Sequence, residues 1–231
     1  MQKIVLNWSS GKDASFAFHL LKNNPNYHIS ALLTSVSSAF DRVSMHGTRI
    51  AILEKQAELM QIPLEKIVVP ENADMELYNK TMQKSLQKFI ENDIKTFAFG
   101  DIFLEDLRKY REYQLVKIEA KAIFPLWKMD TKLLVEQVED AGIIAKIICV
   151  NDRYLGKEFL GRTINRQLLS DLPANVDPCG ENGEYHTLVI DAPFFKEKMK
   201  IKEGEIVYKK YDSGDGKCDS GFYYLDMLLE E

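Results

Sequence analysis

The chain has 231 residues, of which 45% are hydrophobic and 28% charged, and its formal net charge is −5. This length predicts one large domain or two small ones, with enough hydrophobic residues to fill a core. The negative balance excludes a global positive field that attracts nucleic acid or an anionic membrane, so a nucleic-acid partner is not expected.

Membrane and secretory segments are not expected either. The longest apolar run, residues 143–150, contains Lys146 and is far shorter than the roughly 20 residues that a membrane span needs. The first residues show no basic region followed by a long apolar stretch, which argues against a secretory signal. Cys149, Cys179 and Cys218 are too scattered for a disulfide framework or a Cys-X-X-Cys site. We expect a cytoplasmic protein with no membrane partner.

Apolar runs alternate with helical periodicity through the first 126 residues. The expected strands are 3–8, 28–36, 66–69, 95–100 and 121–126, and the expected helices are 14–22, 48–61, 74–92 and 105–119. This alternation predicts an α/β fold, a Rossmann-like parallel sheet covered by helices on both faces, with the first strand near its centre. Ligands of such folds bind at the carboxyl ends of the strands.

The pattern changes near residue 128. Helices are expected at 130–141 and 157–170, strands at 143–151, 186–190, 205–211 and 222–227, and a turn at 212–216. This part reads as a smaller α+β domain. The sequence therefore predicts a nucleotide-binding domain over residues 1–127 and a substrate-binding domain over residues 128–231.

The segment Ser9-Ser10-Gly11-Lys12-Asp13-Ala14-Ser15 directly follows the first apolar strand and opens the first helix. Backbone N–H groups and the positive end of a helix dipole meet at such a junction, which favours a phosphate. The alternative is a plain strand-to-helix turn in which a serine caps the helix.

Spacing restricts the kind of phosphate loop. A Walker loop needs a glycine where Leu6 stands and a hydroxyl residue where Asp13 stands, and a dinucleotide fingerprint needs three glycines where only Gly11 is present. The segment instead resembles the Ser-Gly-Gly-Lys-Asp-Ser loop of the PP-loop ATP pyrophosphatases. It departs at Ser10, which costs little if its φ is negative, and at Ala14, whose missing hydroxyl Ser15 could replace.

Three further residues are expected near the same edge of the sheet. Gly100 ends the fourth expected strand, Asp101 follows it, and His46 follows the second. His46 is as well explained as an ordinary loop histidine as it is as a residue of the ligand site.

The loop 177–187 is the second concentration of reactive groups. Gly180 and Gly183 allow close approach to the backbone, and Glu181, Glu184 and His186 are groups that bind amines or move protons. A tight turn with solvated glutamates is the competing reading. Glu184 and His186 alone make no recognised metal site.

Several motifs in order along nearly the whole chain resemble the diphthine-ammonia ligase family of PP-loop ATP pyrophosphatases. They are the phosphate loop, Met45-His46-Gly47, Gly100-Asp101-Ile102, Pro125-Leu126-Trp127, Leu160-Gly161-Arg162 and Gly180-Glu181-Asn182-Gly183-Glu184-Tyr185-His186-Thr187. The resemblance implies an adenine nucleotide α-hydrolase-like fold and an enzyme that adenylates a carboxylate with ATP, then amidates it with ammonia. The family's substrate carboxylate lies on a modified histidine of translation elongation factor 2.

The resemblance also implies roles for individual residues. ATP contacts are expected from Ser9, Ser10, Gly11, Lys12, Asp13, Ser15, His46, Gly100 and Asp101. Substrate contacts are expected from Arg162, Gly180, Glu181, Gly183 and Glu184, and the catalytic set is Lys12, Asp13, Glu184 and His186. Either Asp13 or Asp101 could hold Mg²⁺, and Asp101 is our choice.

The segment after Gly100 departs from the family because Asp101, Glu105 and Asp106 make it acidic. Glu105, Lys109 and Glu112 read as a solvated helix face, whereas Arg108 and Arg111 could reach a carboxylate or phosphate.

Two other functions stay open. One is a PP-loop tRNA-modifying sulfur transferase that uses Cys179, and the other is a nucleotide-sensing module without turnover. The aromatic run 222–224 suits either a self-association edge or packing on its own domain, and we expect a homodimer.

Overall fold

The computed structural model describes residues 1–37, 47–70, 73–211 and 220–230. Its first sheet has five parallel strands in the order β3-β2-β1-β4-β5. These strands are β1 (Gln2–Asn7), β2 (Tyr27–Ser37), β3 (Leu64–Val69), β4 (Thr96–Ala98) and β5 (Lys121–Ile123). The predicted Rossmann-like sheet with a central first strand is confirmed.

Four helices connect these strands, and they cover both faces of the sheet. They are α1 (Lys12–Lys22), α2 (Ile50–Met60), α3 (Met75–Glu91) and α4 (Glu105–Val116). In β1, Ile4 and Leu6 pack into one buried cluster with residues of α1 and α2, while Val5 packs into a second cluster with residues of α3 and α4. A strand that is apolar on both sides is typical of a parallel sheet between two helical layers.

The rest of the chain builds a four-stranded antiparallel sheet in the order β7-β6-β9-β8. Its strands are β6 (Ile144–Asn151), β7 (Tyr185–Asp191), β8 (Ile201–Tyr211) and β9 (Ser220–Leu229), and its helices are α5 (Thr131–Asp140) and α6 (Arg166–Asp171). The first buried cluster continues into this part through α5, β6 and β7. Within the described ranges, no helix has the length and apolarity needed to cross a membrane.

The helix expected over 157–170 is wrong. The structure has a 3-10 turn at Lys157–Phe159, then a connecting segment, and only then the short helix α6. Gly161 has φ +76°, and its N–H and the Arg162 carbonyl bond to Ile147 of β6 at 2.8 and 2.9 Å. Strand-like pairing with β6 therefore replaces the helix at this point. The turn expected at 212–216 lies outside the described residues.

Candidate active site at the phosphate loop

The phosphate loop lies at the carboxyl end of β1, where the 11-residue helix α1 begins. Gly11 is the N-cap residue, and no side chain caps the helix. A Cβ at Gly100 would lie 3.0 Å from the Ala14 nitrogen and 3.0 Å from the Asp13 carbonyl carbon, so Gly100 meets the first turn of α1. The structure thus brings Gly100 and the loop together at the N-terminus of α1, the end of a helix that favours an anion.

Ser10 adopts an unusual backbone conformation in this loop. Its φ is +72°, in the region that favours glycine, and the residue is fully buried. Its carbonyl accepts from Val189 N–H at 2.9 Å, and its hydroxyl lies 3.2 Å from the Thr48 hydroxyl. The condition of a negative φ is therefore not met, and the serine at this glycine position stores about 1–2 kcal/mol of strain.

Gln56 of α2 holds the loop against β7. Its amide nitrogen donates to the Val189 carbonyl at 2.7 Å and to the Ser10 carbonyl at 3.3 Å, and its amide oxygen accepts from the Trp8 indole at 2.9 Å. Gln56 is completely buried. The loop consequently closes the outer edge of β7 and connects the two sheets.

Lys12 lies under the loop 177–187 with 2% of its surface exposed. Its ammonium donates to Asp13 Oδ2 at 2.9 Å and to the Cys179 carbonyl, and it lies 5.3 Å from the centre of the Tyr185 ring. Its backbone N–H donates to Thr187 Oγ1 at 3.0 Å. Burial opposes the charge, but the surrounding Asp13, Tyr185 and Cys179 groups outweigh it and raise the pKa of Lys12. The ammonium is therefore charged at neutral pH.

Two polar atoms beside Lys12 are buried and have no hydrogen-bond partner among the described residues. They are Oδ1 of Asp13 and the hydroxyl of Ser15. Buried polar atoms are rarely left without a partner, so these two are expected to bind a group from outside the chain.

Asp101 is already occupied by an arginine. Arg111 Nε lies 2.6 Å from Asp101 Oδ2, its terminal nitrogen donates to Oδ1 at 3.2 Å, and its guanidinium covers the Phe99 ring at 4.4 Å. Arg111 thus reaches a carboxylate, but an internal one. Arg108 pairs with Glu112 at 2.8 Å, as expected for a solvated helix face.

Glu181 connects the C-terminal loop to the carboxyl edge of the parallel sheet. Its Oε1 accepts from Ile102 N–H at 2.8 Å. Burial, reinforced by the negative charges of Asp13 and Asp101, raises the pKa of Glu181 to about 7, although the Ile102 N–H and the Lys12 charge favour ionisation. A carboxyl group at this position exchanges protons near neutral pH.

Glu184 points into its own loop. It is buried, and its oxygens accept from the N–H groups of Asp177 and Asn182, both at 3.0 Å, and from the Asn182 side-chain amide at 3.1 Å. Gly180 and Gly183 have φ +69° and +86°, and a Cβ at Gly180 would lie 2.9 Å from Tyr185. These three residues shape the loop.

The remaining expected site residues lie elsewhere. Arg162 pairs with Asp171 of α6 and covers the Phe159 ring. His186 lies opposite Cys149 in β6, and it alternates with Thr187 along β7, so the two side chains point to opposite faces of the sheet. His46 lies outside the described residues.

Two residues that position the phosphate loop are not singled out by its sequence motif. Thr187 belongs to the C-terminal motif, but nothing local shows that it bonds Lys12. Gln56 could have been found from the sequence, because it is a polar residue on the buried face of α2, where its neighbours are Leu53 and Met60. No group of three or more His, Cys, Asp or Glu side chains in the described ranges could hold a metal ion by itself.

Three proteins with sequences similar to this chain are all named diphthine–ammonia ligase. The chain is 27% identical over 179 residues to a diphthine–ammonia ligase of Schizosaccharomyces pombe, covering 71% of this chain and 29% of that protein. It is 30% identical over 117 residues to that of Danio rerio, covering 48% and 46%. The human protein is 25% identical over 177 residues, covering 70% and 66%. The chain therefore spans between about a third and two thirds of these relatives' lengths.

Among solved structures, the U34-tRNA thiolase NcsA from Methanococcus maripaludis matches with a TM-score of 0.37 and 17% identity, covering 60% of this chain and 56% of that one. This similarity is too low to bear on function.

Family models agree with the named relatives. The model of the diphthamide synthase N-terminal domain matches residues 1–118, and that of the diphthamide synthase C-terminal domain matches residues 130–219. Because the two models follow each other in order and together account for most of the sequence, the chain belongs to the diphthamide synthase family.

Proposed function

We propose that this protein is an ATP-dependent ligase that adenylates a carboxylate and then amidates it with ammonia, releasing AMP and pyrophosphate. The observation that carries the proposal is the juxtaposition of the charged Lys12, at the start of α1, with Glu181 from the second part of the chain. The names of the relatives give diphthine and ammonia as the substrates of those proteins, and the family resemblance implies that the reacting group is a carboxylate.

The loop fits the phosphates of ATP. The N-terminus of α1 offers backbone N–H groups and a positive dipole end, and Lys12 adds a full positive charge. Ser15 contributes a buried hydroxyl that has no partner among the described residues. The missing hydroxyl at Ala14 is therefore compensated by its neighbour in this proposal.

Mg²⁺ fits Asp13 better than Asp101. Both oxygens of Asp101 lie close to the Arg111 guanidinium, at 2.6 and 3.2 Å, whereas Asp13 pairs with Lys12 through Oδ2 alone and its buried Oδ1 has no such cation beside it among the described residues. The ion prefers one or two carboxylates together with phosphate oxygens, and when bound it would neutralise charge on the departing pyrophosphate. Asp13, rather than our first choice Asp101, is the proposed ligand.

The chain's residues divide the chemistry between two steps. In the first, a carboxylate oxygen attacks the α-phosphorus of ATP, and Lys12 and the loop amides stabilise the negative charge that develops on pyrophosphate. In the second, ammonia attacks the acyl carbon and AMP leaves with one carboxylate oxygen. Glu181 accepts a proton from the attacking nitrogen, since its pKa lies near neutrality. Glu184 positions the loop that carries Glu181.

We assign ATP binding and substrate binding to different parts of the chain. Residues 1–127 are proposed to bind ATP and residues 128–231 to bind the substrate carboxylate and ammonia. The two family models, which end at 118 and begin at 130, support a boundary between them. A cytoplasmic location stays a prediction.

The sulfur-transfer alternative receives no support from Cys179. Its thiol is buried and donates to the Thr131 carbonyl at 3.3 Å, and burial raises its pKa, so the reactive thiolate is disfavoured.

The test is product analysis with α-labelled ATP, a diphthine-bearing protein and ammonium. The proposal expects AMP in proportion to amide formed, and its loss in Lys12→Gln, which keeps hydrogen-bonding capacity but removes the charge. ADP as the product, or AMP that appears equally in the variant, would refute it.

A further inference from the structure

The strand β8 forms one edge of the antiparallel sheet, and its pairing with β9 is regular from Ile206 to Tyr211 but has a register shift between Glu203 and Ile206. It spans 11 residues and pairs on one side with β9, and no strand pairs with its other side in the part of the chain that the structure describes. Such an edge presents a row of backbone N–H and C=O groups that another strand can bond.

The two edge strands of this sheet, β7 and β8, differ in whether other parts of the chain cover them. At the opposite edge, the N–H and carbonyl of Val189 in β7 are satisfied by Ser10 and Gln56, so the phosphate loop covers that strand. A comparable cover over β8 is not seen among the described residues. Among the residues that the structure describes, β8 is therefore the edge that is left to extend the sheet.

Apolar side chains are exposed on both faces of β8. Ile206, Val207, Tyr208 and Tyr211 each keep between 43% and 51% of their surface accessible. Ile206 and Tyr208 point to one face and Val207 and Tyr211 to the other, because side chains alternate along a strand. Contiguous apolar residues on an exposed edge indicate an interaction site rather than a solvated strand.

The charges of β8 are arranged so that the strand complements itself. Lys202, Glu203 and Glu205 lie before the apolar centre, with a net charge of −1, and Lys209 and Lys210 lie after it. If two copies pair antiparallel about Val207, Ile206 of each copy lies opposite Tyr208 of the other, and Glu205, which borders the register shift, comes next to Lys209 of the other copy. Opposite charges and β-branched–aromatic pairs are both stabilising cross-strand neighbours. A parallel arrangement would instead place like charges together.

We propose that β8 is the interface of a homodimer in which two copies pair antiparallel about Val207 and form one continuous eight-stranded sheet. A two-fold axis through this pair makes the interface self-complementary, as closed dimers require. The inference does not depend on the proposed ligase activity.

The test is a charge swap at Glu205 and Lys209, with the dimer dissociation constant measured by analytical ultracentrifugation. Glu205→Lys and Lys209→Glu each place like charges opposite each other twice and are expected to weaken the dimer about tenfold. The double variant restores opposite charges and is expected to recover the affinity to within about threefold. Within one chain the two residues are about 13 Å apart, so direct pairing between them cannot explain such a rescue. Lys209 has a contact of its own within the chain, which makes the double variant the decisive comparison.

Glu91→Lys at the end of α3 is the control for Glu205→Lys, because it makes the same change in net charge at an exposed position away from β8. It is expected to leave the dissociation constant unchanged. Hydrogen exchange of the β8 amides supplies a second readout, with protection expected in the dimer and lost on dilution. A protein that stays monomeric at the highest concentration reached, or a dimer unaffected by either single variant, would overturn the proposal.

Discussion

Replacing Gln56 by leucine tests whether the phosphate loop depends on its attachment to the second sheet. The side chain is completely buried and makes three hydrogen bonds, to the Trp8 indole and to the carbonyls of Val189 and Ser10. Leucine has a similar volume and no polar atoms, so the substitution removes the bonds without opening a large cavity.

The expected loss follows from the groups that remain. The Ser10 carbonyl keeps its bond from Val189 N–H, whereas the Trp8 indole N–H and the Val189 carbonyl lose Gln56 as a partner. A buried polar group without a partner costs about 1–3 kcal/mol, so the free energy of unfolding should fall by about 3 kcal/mol. For a chain of this size, 1 kcal/mol corresponds to about 2–4 °C in Tm, which gives a decrease of about 6–12 °C.

Thermal unfolding followed by circular dichroism measures this change, with Gln83→Leu as the control. Gln83 makes a single long bond of 3.5 Å to Gln114, and its replacement is expected to stay within about 0.5 kcal/mol. ATP affinity, measured by calorimetry at a temperature where both variants are folded, should fall only in Gln56→Leu. Equal Tm values for the two variants would refute the reasoning.

Four further outcomes are expected. Lys12→Gln should lower the rate of AMP formation about 100- to 1,000-fold, because the positive charge beside the leaving pyrophosphate is lost. Product analysis measures this rate, and a decrease below tenfold would show that Lys12 does not stabilise the transition state. Ser10→Gly should unfold about 1 kcal/mol less readily than Ser10→Ala in denaturant titrations, because only glycine relieves the positive φ while both lose the hydroxyl; equal stabilities would show that the backbone relaxes. Glu181 favours its protonated form in the folded state, with a pKa of about 7 against an ordinary 4.5, so its contribution to stability is present at low pH and is lost as the pH rises through 7. In Glu181→Gln that loss should disappear from unfolding titrations between pH 4.5 and 7, and the rise in amide formation near pH 7 should flatten; an unchanged rate profile would exclude Glu181 as the proton acceptor. Cys179→Ser should keep AMP formation within about twofold, since the buried thiol has no chemical role here, and a large loss would revive the sulfur-transfer alternative.

Local sequence patterns predict the fold well where one physical signal dominates. The buried run Ile4-Val5-Leu6 and the alternation that follows specify a parallel sheet, because a strand that is apolar on both faces has few other stable environments. The helix predicted over 157–170 is wrong although it rests on the same kind of evidence, a local hydrophobic pattern. The periodicity of this segment resembles a helix, but Gly161 at positive φ lets the chain turn and pair with β6, a tertiary contact that no local pattern encodes.

The site is only partly predictable. The predicted order of strands alone is enough to place Gly100 and Lys12 at the carboxyl edge of the parallel sheet. The attachment of Lys12 to Thr187 and Cys179, more than 160 residues away in sequence, depends on how the two sheets dock. Glu184 shows the limit of residue type as evidence, since a carboxylate in a glycine-rich loop suits catalysis and loop-building equally, and its buried contacts favour the second role.

Transfer of oxygen-18 tests the central claim most directly. A diphthine-bearing protein labelled with oxygen-18 in the carboxylate is incubated with the enzyme, ATP and ammonium, and the products are examined by mass spectrometry. An acyl-adenylate route predicts one labelled oxygen in AMP for each amide formed, because AMP leaves with a carboxylate oxygen. Label in inorganic phosphate, with ADP as the coproduct, would contradict the account.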